Sequence, residues 1–277
     1  MQHFILTRFN LLLWRKDKEG NKVRTKGWLE HRFALFEQYC LQSIKNQTCQ
    51  AFEWIVLFDS TTPEEYKDRI EQYTKECPQL LPVFVYPYKG RYFAKIFRNE
   101  VIKRLNGSRV ITTYLDNDDA LSVHFVEDLQ KRAESLSDGT FLNYIDGYQY
   151  YTAHNYLMQI HYPRNHFMSM VEEGNPATLK TIYGYGSHYY IDKIPGARIE
   201  YIKNQPMWCE VIHDRNMGND AYFLKAKIVK DKDALCRDFG LNQTVKTGNS
   251  LYLFRFLPRY MKTFVRRIGY RLFGRHW

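Results

Sequence analysis

The chain has 277 residues, 44% of them hydrophobic, and a formal net charge of +10, so it can bury one large core and should be drawn to anionic partners. No run of ~18 apolar residues occurs, which excludes a membrane-spanning helix. Five cysteines (Cys40, Cys49, Cys77, Cys209, Cys236) form no CxxC pair and are odd in number, which argues against a disulfide framework and for a reducing compartment.

In chain order, His3 to Phe9 predicts a first strand so near the start that neither a leader domain nor a signal segment is expected ahead of it. Lys16 to Lys26 is polar and reads as a loop. Trp28, Leu29, Phe33, Phe36, Tyr39, Cys40 and Ile44 then recur at helical spacing. Trp54 to Phe58 is an unbroken apolar run closed by Asp59, as in a strand buried on both faces. Thr61-Thr62-Pro63-Glu64-Glu65 supplies a hydroxyl cap, a proline and first-turn carboxylates for a helix running to Glu76. Leu80 to Tyr86 predicts a third strand, Phe93 to Leu105 a helix and Arg109 to Leu115 a fourth strand. Such alternation predicts an α/β fold with a mostly parallel central sheet and helices on both faces. Val123 to Ser135 reads as helix and Phe141 to Tyr151 as one or two strands, whereas Thr152 to Asp220 is rich in Tyr, His, Gly and Pro without a clear period. With no repeat or linker in view, residues 1–240 are expected to form one catalytic domain and 241–277 a basic tail.

Ligands of an open α/β sheet bind at the carboxyl ends of its strands. Asp59 and the cluster Asp116-Asn117-Asp118-Asp119 fall at two of those ends. Carboxylates are the hard oxygen donors that Mg²⁺ or Mn²⁺ takes when it bridges phosphates. Three aspartates in four residues repel one another, and a metal would remove that cost. The same residues also fit a solvated turn in which Asp116 or Asp118 caps the next helix. An EF-hand fits more poorly, because the glycine and distal glutamate of that loop are missing.

Leu115-Asp116-Asn117-Asp118-Asp119-Ala120 resembles the DxD-type motif of GT-A glycosyltransferases, and Phe97-Arg98-Asn99-Glu100 resembles the motif those enzymes carry on the preceding helix. Thr7-Arg8-Phe9-Asn10, the Gln38 to Thr48 segment and Trp54 to Asp59 complete the pattern. Over residues 3 to 220 the chain is similar to the bacterial rhamnosyltransferase family. That resemblance implies a GT-A (Rossmann-like) fold, a nucleotide-sugar donor and Mn²⁺ or Mg²⁺ as cofactor. It implies donor contacts from Thr7, Arg8, Asp59, Arg98, Asp116 and Asn117, with Asp59 on the base or ribose and Arg98 reaching a phosphate or forming a surface ion pair. Asp118 becomes the chief metal ligand and Asp119 a cap for the following helix. Met207 to Asn216 resembles the family's C-terminal signature, which makes His213 the second metal ligand. Acceptor activation needs a general base, and Glu172 or Glu173 is the expected one, with His188 and Asp192 behind them.

From Ser250 to Trp277 there are seven Lys or Arg and no acid, interleaved with Leu, Phe, Ile and Tyr, so most of the positive charge sits in the tail. A basic amphipathic helix over Arg259 to Phe273 would bind an anionic membrane surface, each cation contributing on the order of 1 kcal/mol. The alternative is a terminal helix docked on the catalytic domain. No zinc-finger, RRM-like or helix-turn-helix pattern accompanies the charge, so nucleic acid is not expected as a partner. The expected protein is a cytoplasmic transferase, peripheral at the inner face of a bacterial membrane, acting on a surface-polysaccharide or lipid-linked glycan acceptor. The competing expectation is a membrane- or nucleic-acid-binding protein whose acidic cluster is only a turn.

Overall fold

Strand β1 (Gln2–Arg8) is covered on both faces: Ile5 packs into one hydrophobic cluster with Phe33, Trp54 and Ile70, while Phe4 and Leu6 enter another with Ile55, Phe97 and Val101. A strand with no solvated face does not alternate polar and apolar positions, which is why Phe4, Ile5 and Leu6 follow one another and the flanking His3 and Thr7 are buried as well. The computed structural model in which this is seen describes residues 1–16, 22–203, 205–213 and 226–246, together with Met261 and Val265.

Helix α1 (Lys26–Leu35) continues through a π turn (Phe36–Cys40) into α2 (Leu41–Lys45), capped at its start by the Thr25 hydroxyl, which accepts from the Trp28 N–H at 3.3 Å. Next come β2 (Glu53–Asp59), α3 (Glu64–Glu76), β3 (Leu80–Val85), α4 (Phe93–Lys103) and β4 (Arg109–Tyr114), in the order the sequence predicts. The start of α3 differs from expectation. Pro63 is its N-cap, and no side chain caps it. The Thr61 and Thr62 hydroxyls donate instead to the Asp59 side chain and the Asp59 carbonyl, both at 2.6 Å, fastening the end of β2.

The later elements are β5 (Ala120–Leu121), α5 (Phe125–Ala133), β6 (Thr140–Tyr144), β7 (Asp146–Tyr151), β8 (Tyr156–His161), β9 (Met168–Glu173), β10 (Arg198–Ile202), β11 (Trp208–Ile212), β12 (Lys227–Ile228) and α6 (Ala234–Phe239). The main sheet has the order β10-β6-β9-β4-β1-β2-β3. Strands β1 to β4 run parallel, but β9 lies antiparallel between β4 and β6, so the sheet is mixed. Helices α1, α3 and α5 cover one face and α4 the other.

A second sheet, β12-β8-β7-β11-β5, is the part the sequence hides. Strand β11 is buried throughout, so it carries no period of two. Its Trp208 ring crosses β7 at Gly147, where an added Cβ would stand 2.2 Å from the indole, so only glycine admits the crossing. Leu241 and Val245 pack with Leu235 and Phe239 of α6, so core packing continues past residue 240. The tail helix expected over Arg259 to Phe273 lies outside the described residues, apart from Met261 and Val265, both exposed. Among the described residues no helix is long and apolar enough to cross a membrane.

Candidate functional site

The acidic residues form the turn between β4 and β5. Asn117 fixes it to the end of β1, its amide donating to the Arg8 and Phe9 carbonyls at 3.0 and 2.6 Å. Each aspartate then meets a protein cation. Arg8 reaches Asp116 at 3.3 Å, Arg32 from α1 reaches Asp118 at 2.5 Å, and the His166 imidazole bonds Asp119 at 2.8 Å. His213 adds a second contact to Asp118 at 2.9 Å, and the Val211 N–H donates to Asp119 at 2.8 Å. The crowding of carboxylates therefore does not by itself require a metal, because side chains already offset it. Nor does Asp119 cap a helix: α5 starts at Phe125, with His124 as its N-cap.

The electrostatics follow from these partners. Burial opposes the charge on Asp118, yet Arg32 and His213 override it and hold the carboxyl well below the usual range. Burial pushes Asp119 upward against its His166 hydrogen bond. Burial also opposes a charge on His166, but the Asp119 bond outweighs it and raises the imidazole. Arg8 lies among the rings of Phe93, Tyr183 and Tyr114, its guanidinium carbon 4.8, 5.3 and 5.4 Å from their centres, and its buried Nε has no hydrogen-bond partner among the described residues. Such an aromatic box holds the guanidinium rigid beside Asp116.

Asp116, Asp119 and His166 each offer one atom within 4.8 Å of the others, and Asp116 is the member open to solvent, its side chain 30% exposed. Two carboxylates and an imidazole suit Mn²⁺, and suit Mg²⁺ less well because of the nitrogen. These three fit a divalent cation better than the expected pair. Asp118 and His213 do meet each other, but the same Asp118 oxygen is engaged by Arg32.

The other expected residues divide sharply. Asp59 is buried at the end of β2 with Arg24 at 2.9 Å, and its Oδ2 has no hydrogen-bond partner among the described residues. Beside it lies a cavity of about 640 Å³ lined by Asn10, Arg15, Lys16, Lys22, Arg24 and Thr61 among others. Thr7, by contrast, is a core residue whose hydroxyl accepts from the Trp54 indole at 2.9 Å. Arg98 donates to the Leu179 and Pro176 carbonyls, both at 2.6 Å, and reaches no acidic residue of the turn. Glu172 pairs in register with Val110, near the start of β4, which puts it ~13 Å down the strand from Tyr114. There it accepts the N–H groups of Lys180 and Thr181 at 2.9 and 2.8 Å. Glu173, one residue further, is exposed. Neither glutamate reaches the acidic turn. His188 does come near, its ring 5.8 Å from that of His166, while Asp192 is paired with Arg164.

Two site residues escaped the sequence reading. Arg32 interrupts the apolar row Trp28, Arg32, Phe36 on α1, and a cation on a core-facing row was the available signal. His166 had none, because it precedes β9, whose antiparallel course carries its first residues to the edge where β4 ends.

Residues 2–223 match the model of the family described as "Putative rhamnosyl transferase", and the chain belongs to that glycosyltransferase family. Among solved structures it is similar to S. aureus TarS 1-349 in complex with UDP, at 11% identity over 76% of this chain and 61% of that one, with a TM-score of 0.41. It is also similar to the longer S. aureus TarS (11% identity, 76% of this chain, 37% of that one, TM-score 0.39). A third is the "putative nucleotide-diphospho-sugar transferase from Desulfovibrio desulfuricans G20" (8% identity, 75% and 82% covered, TM-score 0.36). The chain thus spans 37 to 61% of the length of the TarS chains it matches. No curated protein matches it.

Proposed function

We propose that this chain is a GT-A-type transferase that moves a sugar from a nucleoside diphosphate donor to a hydroxyl of a glycan or lipid-linked glycan, with a divalent cation at Asp116, Asp119 and His166. The observation that carries the reading is the adjacency of the acidic turn to the cationic cavity. Asn10 lines the cavity, and the neighbouring Phe9 carbonyl receives the Asn117 amide. Leu29 lines it too, one helical turn before Arg32.

In this reading Asp59 holds Arg24 and Thr61 at the cavity wall, where they meet the base or ribose, and the cavity's arginines and lysines attract the phosphates. A bound Mn²⁺ would neutralise charge developing on the leaving diphosphate. Arg8, fixed by its rings, adds a preorganised cation at the same place. Asp118, Arg32 and His213 keep the turn in shape behind it. The donor sugar is a rhamnosyl group on the family's description. A peripheral hold on an anionic membrane through residues 250–277 belongs to the same proposal; those residues carry seven cations and no acid.

The test is release of nucleoside diphosphate from UDP- and dTDP-linked sugars, with and without Mn²⁺. A Mn²⁺-dependent rate that Asp116→Asn lowers ~10²-fold or more supports the proposal, and an unchanged rate in that variant contradicts the metal role.

A further inference from the structure

Four buried or half-buried carboxylates converge on the crevice, and they are not equivalent. Asp116, Asp118 and Asp119 each have a cationic partner. The fourth is Glu210 on β11, which the sequence passed over. It is 6% exposed, and its hydrogen-bond partner is the neutral side-chain amide of Gln149, the residue paired with it on β7. Gln149 is held in turn by the Tyr151 hydroxyl at 2.7 Å. Among the described residues no cation bonds Glu210.

Strand geometry turns Glu210 toward the site. Side chains alternate along β11, so Glu210 shares a face with Trp208. The Trp208 ring stacks on Phe167 at 4.8 Å, and Phe167 stacks on His166 at 4.1 Å. Glu210 stands ~7 Å further along that face, beyond the stack and toward the end of β11. The pairing of Cys209 with Ala120 sets Glu210 beside Asp119, whose Oδ1 accepts the next N–H of β11.

We propose that Glu210 is the general base of the transfer, an assignment that rests on the transferase reading above. Its carboxylate takes the proton from the acceptor hydroxyl as the hydroxyl oxygen bonds the anomeric carbon. The bond from that carbon to the diphosphate breaks in the same displacement, and the electron pair leaves with the nucleoside diphosphate. Glu210 afterwards returns the proton to solvent. The groups facing it are His166, which precedes β9, the acidic turn's Asp116, Asp118 and Asp119, and neutral Gln149. Asp116, Asp118 and Asp119 are each engaged by a cationic side chain, whereas Glu210 is held by an amide, so among these carboxylates it is the one placed to accept a proton.

The test compares wild type, Glu210→Gln and Glu210→Asp with UDP-glucose and dTDP-rhamnose plus Mn²⁺, water serving as acceptor. Glu210→Gln is expected to lower kcat by ~10²–10⁴-fold with donor KM unchanged. The thermal shift given by UDP with Mn²⁺ should persist, and the rise of rate with pH through the carboxyl's titration should vanish. Glu210→Asp, which keeps the carboxylate but retracts it by one methylene, should be slowed about tenfold or more while keeping the pH limb, and it decides the matter if Glu210→Gln does not fold. A wild-type rate in either variant overturns the assignment. So does loss of the UDP shift together with the rate, since that marks a packing role. If wild type itself neither binds nor cleaves a nucleotide sugar, the transferase reading falls, and the base with it.

Discussion

Asp119 and Glu172 are both buried carboxylates, one at each end of the strand pair β4 and β9, and they are served in opposite ways. At the lower end, Glu172 accepts two backbone N–H groups and the Tyr185 hydroxyl, so it closes a loop. Arg98 pins the same loop through two carbonyls. The loop then climbs to lay Tyr183 on Phe97, rings 4.8 Å apart, and over Arg8. At the upper end Asp119 meets an imidazole and stands with Asp116 and His166 in a group whose spacing could hold a cation. Carboxylates within one sheet thus take structural or chemical roles according to which strand end they occupy and whose donors they meet.

Three perturbations sharpen that contrast, and the largest effect is expected at the upper end. Arg32→Met leaves Asp118 buried without its cation and should cost about 3–5 kcal/mol in denaturant unfolding. At the lower end, Glu172→Gln sets an amide against two backbone donors and should cost about 1–3 kcal/mol. Donor cleavage by that variant should stay near wild type well below its melting temperature; a ~10²-fold loss there would return Glu172 to the site.

The smallest effect concerns His3, buried in β1 and bonded to Thr113 at 2.8 Å. Burial lowers its pKa from 6.5 to about 3, so the fold holds the neutral ring. The unfolded chain binds the proton first, so this contribution is intact above pH 6.5 and is lost as pH falls from 6.5 toward 3. At pH 6, half a unit into that window, the loss is about 1 kcal/mol, and His3→Asn should flatten the acid limb of stability measured by urea unfolding.

Much of the frame was legible in the sequence, because β1, β2 and β4 each carry apolar or β-branched residues in succession and are separated by helices with an apolar face. The second sheet was not, since β11 is buried throughout and β5 has only two residues. Within the site, a local cluster of aspartates was easy to see, whereas their partners come from α1, from the segment before β9 and from β11, joined only by folding. Arg98 and Glu172 misled for the converse reason: a motif shows that a charged side chain matters, but not whether it faces a ligand or the chain's own backbone. Thr61 and Thr62 looked like helix caps, yet they fasten Asp59 beside the cationic cavity.

The central claim is that Asp116, Asp119 and His166 hold a divalent cation that the donor's diphosphate shares. Thermal unfolding of wild type and Asp116→Asn, with UDP, dTDP and GDP and with or without Mn²⁺, tests it most directly, since a ligand of the native state raises its melting temperature. A Mn²⁺-dependent shift with at least one nucleotide is expected in wild type, with its loss in Asp116→Asn at unchanged intrinsic stability. An equal Mn²⁺-dependent shift in both proteins, or none in wild type, would contradict it.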